Sequence, residues 1–227
     1  MTRITKPLTK LFVKSNIKPK KFATYSAGHD SNWIINHSGL PWLELKMSIP
    51  YTEILEEIKA NVDFLVDHRD DYDEHEGWKS FCIHGKSLHT TQHSDDESSC
   101  HWIPEVVNAM PRTVEYFKSW GLNFNRLRVM ALEPGGFVSV HQDTETSRLY
   151  PINIAITQPA NCNFVMENWG TVPFDAGKSF MLDVGNRHAV VNNSNETRYH
   201  IIVHYKELTD QFKKLIENSY HNSLTQL

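Results

Sequence analysis

The chain has 227 residues, 40% of them hydrophobic and 22% charged, with a formal charge of −4. That length suits one domain with a substantial core, and no apolar run approaches the roughly 20 residues that a bilayer-spanning helix needs. An acidic balance excludes a generally basic nucleic-acid surface, although Arg3, Lys6, Lys10, Lys14, Lys18, Lys20 and Lys21 crowd into residues 1–29, which contain no acid.

Residues 1–50 read as irregular, broken by Pro7, Pro19, Pro41 and Pro50, with the basic start as a solvated segment. In "YTEILEEIKANVDFLV" (51–66), Ile54, Ile58, Val62 and Leu65 share one stripe, which predicts an amphipathic helix. "GWKSFCIHG" (77–85) reads as a strand and "TTQHSDDESS" (90–99) as a loop. The pattern is helical again over 104–121, with Pro111 interrupting and Gly121 supplying a stop.

From Asn125 the texture changes. The runs "RLRVMAL", "FVSVH", "YPINIAI", "NFVME", "KSFMLD", "HAVVNN" and "RYHIIVHY" are separated by PGG, QPAN, AG, VGN and NSNE, which describes a β-sandwich or barrel. Gly135 and Gly136 after Pro134 predict a tight turn needing positive φ. "TDQFKKLIENSY" (209–220) closes the pattern as a helix with Thr209 as its N-cap. Cys82, Cys100 and Cys162 are odd in number, with no CxxC pair, which points to a reducing compartment and the cytoplasm.

The chemistry-bearing residues lie in the β-rich half. His141 and Asp143 are two apart in an extended segment, so both project to one side of the chain. Imidazole nitrogen and carboxylate oxygen suit a divalent first-row metal, and His188 in "DVGNRHAVVNN" offers a third donor from another strand. Two histidines and a carboxylate leave positions open for an oxoacid and O₂. Arg198, ten residues after His188 and across the turn "NNSNE", is expected on the neighbouring strand of a hairpin, where it could grip an oxoacid's distal carboxylate. His200 and His204 share its face and read equally as pocket-lining or as hydrogen-bonded interior residues.

H-x-D, a distant His and an Arg ten residues later resemble the Fe(II)/2-oxoglutarate-dependent dioxygenases. The text "RLRVMALEPGGFVSVHQD…SRLYPINIAITQPANCNFVME…FDAGKSFMLDVGNRHAVVNNSNETRYHIIVH", covering about residues 122–206, is similar to the aspartyl/asparaginyl β-hydroxylase branch, which includes free-proline hydroxylases. The resemblance implies a mainly β fold with flanking helices, a double-stranded β-helix (jelly roll, cupin-like). It implies His141, Asp143 and His188 as iron ligands, Arg198 as the 2-oxoglutarate clamp and Arg148 as a further arginine of the cosubstrate or substrate pocket. Aspartyl/asparaginyl hydroxylases proper carry glycine where this chain has Asp143, and a second arginine where it has Tyr150. The asparaginyl/aspartyl substrate is therefore not carried over.

The expected arrangement is one oxygenase domain over 1–227. Residues 1–121 are a mainly helical part and substrate mouth, 122–206 the jelly-roll core with the metal site, and 207–227 a C-terminal helix. The implied activity is hydroxylation of an unactivated C–H of a small polar substrate, an amino acid or amino-acid side chain, using Fe(II), 2-oxoglutarate and O₂ and releasing succinate and CO₂. Tyr150, His89 and His93 are the candidate substrate contacts. The partner expected is a small molecule or peptide, with neither membrane nor nucleic acid. Two alternatives stand beside this reading: a cupin-like metal enzyme that does not use 2-oxoglutarate, and a non-catalytic jelly-roll binding module.

Overall fold

A computed structural model describes residues 38, 40–68, 75–90, 99–143 and 151–225. The basic start, His93, Arg148 and Tyr150 lie outside the described residues. The elements in chain order are β1 (Trp42–Leu45), α1 (Tyr51–Ala60), a 3₁₀ turn (Val62–Phe64), β2 (Val66–Asp67), β3 (His75–Gly85), β4 (His101–Trp102), α2 (Pro104–Ala109) and α3 (Pro111–Lys118). Then come β5 (Asn123–His141), β6 (Ile152–Ala155), β7 (Cys162–Met166), β8 (Gly170–Thr171), β9 (Ser179–Leu182), β10 (His188–Asn192), β11 (Arg198–Glu207) and α4 (Asp210–Thr225).

The strands join into one curled, antiparallel sheet in the order β1-β9-β6-β11-β5-β10-β7-β8, with β3 along the free side of β5. β5 makes the curl. Its first part pairs with β11, from Asn123 to Leu132, and its last part pairs with β10, from Phe137 to His141. PGG is therefore not a chain-reversing turn between two strands. It is a bend inside one long strand, with Gly135 at φ +77°. β3 bends alongside, with Gly77 at φ +65°, and a Cβ on Gly136 would lie 2.7 Å from the Glu76 carbonyl oxygen. Only the missing side chain lets the two backbones approach so closely. The result is a double-stranded β-helix, two layers folded over one another.

Period-two alternation gives this sheet two apolar faces. Leu127, Val129, Ile201, Val203 and Tyr205 point outward into a core completed by α1, α3 and α4, including Ile54, Ile58, Phe117, Phe212 and Ile216. Leu132, Val138, Phe164, Met166, Phe180 and Val190 fill the space between the layers. The site lies in that inner space.

The structure corrects several expectations. β1 falls within the stretch read as irregular, held along β9 from Trp42↔Leu182 to Leu45↔Ser179. The first helix ends at Ala60 rather than running to 66, because the Asn61 side-chain amide donates to the Glu57 carbonyl and takes the helix's next bond. Val62, expected on the buried stripe, is 44% exposed. The 104–121 segment is interrupted at Pro111 as expected: it forms two helices separated at Met110, which the proline forces out of helical geometry. The carboxylate of Glu57 on α1 accepts from the Arg112 and Thr113 N–H groups and from the Thr113 hydroxyl, capping α3 from a neighbouring helix. Thr209 caps α4 as expected, its hydroxyl accepting from Phe212 N–H, and the helix runs to Thr225. Among the described residues no helix is long and apolar enough to cross a membrane.

Candidate active site

His141 ends β5 and His188 begins β10, and the two are direct register partners. Their rings sit 4.3 Å apart. Asp143 follows two residues after His141, its N–H bonded to the Val184 carbonyl in the turn that leads toward His188. One ligand atom from each of His141, Asp143 and His188 can be chosen so that all lie within 4.8 Å of one another. The three residues expected from the sequence are thus brought together.

Both imidazoles are oriented by the backbone. His141 Nδ1 lies 2.8 Å from the Ser139 carbonyl oxygen and His188 Nδ1 2.8 Å from that of Asn186. A carbonyl only accepts, so each Nδ1 carries a proton, and in the neutral tautomer of each ring the lone pair lies on Nε2. Asn186 is itself held, its side-chain oxygen accepting from Trp169 Nε1 and its N–H bonding the Asp183 carbonyl. Phe164 stacks on the His188 ring at 5.2 Å. Burial, with His141 beside it, pushes the His188 pKa down to about 4, so its imidazole is neutral at physiological pH. Two imidazoles that each point Nε2 away from their backbone partner and one exposed carboxylate are a donor set that fits Fe(II).

Arg198 reaches the same interior from a different direction. The expected hairpin with His188 does not form: β10 and β11 lie on the same side of β5, one beyond the other, and Arg198 pairs with Leu132. An aromatic path joins the two positions. Phe164 contacts Phe174 at 6.0 Å, and Phe174 lies under the Arg198 guanidinium at 5.4 Å. Arg198 is 7% exposed. Burial lowers its pKa to about 10, which leaves it a cation. Its described partners are neutral, Gln158 Oε1 at 3.3 Å from Nε and His200 Nδ1 at 2.9 Å from Nη2. A buried cation held only by neutral groups suits an incoming carboxylate.

His89 is not part of this assembly; it is exposed and bonds the Phe64 carbonyl at 3.2 Å. Sequence reasoning passed over Gln158, which stands in a turn segment read as punctuation. It also passed over Arg126 and Arg128, buried on the inward-facing positions of β5 within 3.5 Å of His204 and His68 respectively. Alternation against Leu127 and Val129 could have found the arginines.

The family model for aspartyl/asparaginyl β-hydroxylase matches residues 50–207. The chain belongs to that family. It is a hydroxylase-type oxygenase by that membership, and its three-donor cluster is of the kind that holds Fe(II). Membership favours an oxygenase over the non-catalytic binding module. No curated protein matches the chain. Among solved structures, a prolyl hydroxylase from Trichoplax adhaerens, in complex with a hypoxia inducible factor oxygen degradation domain peptide fragment, superposes with a TM-score of 0.50. Identity is 14%, over 81% of this chain and 90% of that one. A Pseudomonas putida prolyl-4-hydroxylase gives 0.45 at 13% identity, over 74% and 94% of the respective chains. The viral collagen prolyl hydroxylase of Paramecium Bursaria Chlorella virus-1 gives 0.43 at 13% identity, over 73% and 96%.

Proposed function

We propose that residues 1–227 form a single oxygenase domain that hydroxylates an unactivated C–H of a small polar substrate, a free amino acid or an amino-acid side chain, and releases succinate and CO₂. In this reading His141, Asp143 and His188 hold the iron, and Arg198 holds the distal carboxylate of 2-oxoglutarate. The observation that carries it is the pairing of a three-donor cluster with a buried, neutrally partnered guanidinium in one interior.

Bound iron supplies O₂ activation, coupled to oxidative decarboxylation of the oxoacid and oxygen transfer to carbon. The chain's own residues do the rest. His141 and His188 present Nε2 because their Nδ1–H groups donate to the Ser139 and Asn186 carbonyls. Asp143 adds the negative charge that favours a dication. Phe164, Phe174, Leu132 and Val190 keep the inner space apolar and exclude water from it. Arg198 fixes one end of the oxoacid and so the direction from which the other end arrives. Arg148, Tyr150 and His93 are left for the substrate, with the N-terminal part forming its mouth. Three cysteines with no disulfide among them fit a cytoplasmic setting.

The test is a screen of amino acids and peptides for succinate release, with mass spectrometry for a product heavier by one oxygen atom. Succinate that depends on 2-oxoglutarate and on one amino-acid class is the expected result. Oxidation without added 2-oxoglutarate, or confined to nucleic acid, would overturn it.

A further inference from the structure

Arg198, His200 and Gln158 close a hydrogen-bonded ring whose donors and acceptors allow one arrangement. Arginine carries only donors, so His200 Nδ1, 2.9 Å from Arg198 Nη2, must accept. The His200 proton therefore sits on Nε2, which faces Gln158 Oε1 at 3.3 Å. The same oxygen accepts from Arg198 Nε at 3.3 Å. The Gln158 amide nitrogen donates to the Cys162 carbonyl, which turns the amide oxygen toward the other two.

The ring's frame is rigid. Arg198 and His200 are alternate residues of β11, facing inward together. The end of β6 is tied to the start of β11 on both sides: Ile156 and Thr157 N–H groups donate to the Tyr199 carbonyl, and Tyr199 N–H donates to the Thr157 hydroxyl. Gln158 follows directly. Phe174 packs edge-on to the His200 ring at 4.6 Å and also faces Arg198, closing the remaining side.

We propose that His200, held by Gln158, is a positioning residue that aims the Arg198 guanidinium at the distal carboxylate of 2-oxoglutarate; this rests on the assignment of Arg198 made above. Two of the five N–H donors are spent on orientation and three remain for a ligand. Both partners are neutral, so the guanidinium is held without its charge being cancelled. An Asp or Glu in either place would orient it equally well and compete with the cosubstrate. Burial, followed by the neighbouring Arg198, drives the His200 pKa well below its ordinary value, which keeps the ring in its accepting form.

The test is calorimetric titration of anaerobic, Mn(II)-loaded protein with 2-oxoglutarate and, separately, with oxalate, which chelates a metal but has no distal carboxylate. His200→Leu is expected to weaken 2-oxoglutarate about tenfold, the loss of a hydrogen bond to a charged group, and to leave oxalate unchanged. His200→Gln, which keeps an acceptor, should recover most of the loss. Gln158→Glu should weaken 2-oxoglutarate at least as much as His200→Leu, by giving Arg198 a carboxylate of its own. If Arg198→Met weakens 2-oxoglutarate and His200→Leu does not, the positioning role falls and the clamp stands. If Arg198→Met changes nothing, the clamp itself falls. Equal loss of oxalate and 2-oxoglutarate in His200→Leu would mean a collapsed interior and overturn the proposal. Should His200→Leu not fold, Gln158→Glu decides, and unchanged 2-oxoglutarate affinity there overturns it.

Discussion

His188 stands directly opposite His141 in the register of β10 against β5, and each ring donates its Nδ1 proton to the carbonyl two residues before it. Both rings are thus oriented with Nε2 as the metal-facing nitrogen before any metal arrives. His141→Ala or His188→Ala is expected to abolish stoichiometric Mn(II) binding in anaerobic titration, whereas Asp143→Ala, which removes an exposed carboxylate, should weaken it less. Stoichiometric binding that survives both histidine substitutions would remove the metal assignment.

Arg198→Met removes a buried charge while keeping bulk and leaves the three donors alone. Losing one side of a buried charged pair costs about 2–5 kcal/mol, so 2-oxoglutarate affinity should fall at least ~30-fold. Mn(II) affinity should not change. Parallel loss of both would mean that Arg198 supports the fold rather than the cosubstrate.

Gly136 is where β5 must pass the β3 backbone. A Cβ there meets the Glu76 and Glu133 carbonyl oxygens at 2.7 and 2.9 Å, and neither is a movable side-chain end. Gly136→Ala should cost about 1–3 kcal/mol, or roughly 2–12 °C in Tm at this chain length. It should also weaken Mn(II), because His141 lies beyond the bend on the same strand. Gly121→Ala is the control: φ is +64° but nothing lies within 4 Å, so the strain is local and the metal site is untouched. Equal effects of the two on metal binding would refute the role of the bend.

The bend also explains what could and could not be read from the sequence. His141 and Asp143 were legible because same-side projection at two-residue spacing is a local property of extended chain. Arg198 was legible as a residue but not as a neighbour. The hairpin expectation paired β10 with β11, whereas both lie along one edge of a 19-residue β5. That arrangement depends on a contact between Gly77 and Gly136, distant in sequence, which no local pattern records. β1 was invisible for a similar reason, its four residues being strand only because β9 is beside them. Gln158 matters through partners on β11, and a turn residue gives no sign of that.

Acid sensitivity has a specific source outside the site. His84 is 8% exposed, with Trp102 5.2 Å away edge-on, and its pKa is pushed down to about 4 by burial, with His101 and Lys206 adding to the effect. The unfolded chain therefore binds a proton between pH 6.5 and about 4 that the folded chain does not. Its contribution to stability is complete above pH 6.5 and is lost as pH falls toward 4. His84→Phe, between Trp102 and Phe124, should reduce the dependence of Tm on pH in that window without abolishing it, because His188 and His200 are depressed as well. An unchanged slope would place the acid sensitivity elsewhere.

The substrate class is testable through Arg148. With His141, Asp143, His188 and Arg198 assigned to iron and 2-oxoglutarate as proposed, a cation, the Tyr150 phenol and the His93 imidazole are left for what is oxidised. Those groups suit a small polar molecule bearing a carboxylate. A nucleic acid would call for a basic groove to meet its phosphates, and past residue 29 the chain is net acidic. An amino acid, free or within a peptide, is therefore expected to stimulate succinate release, and Arg148→Ala should raise its KM by more than that of 2-oxoglutarate. The reverse split would make Arg148 a second cosubstrate contact and shift the substrate's anchor to Tyr150. Turnover confined to DNA or RNA would reject the substrate class while leaving the chemistry of the three-donor centre in place.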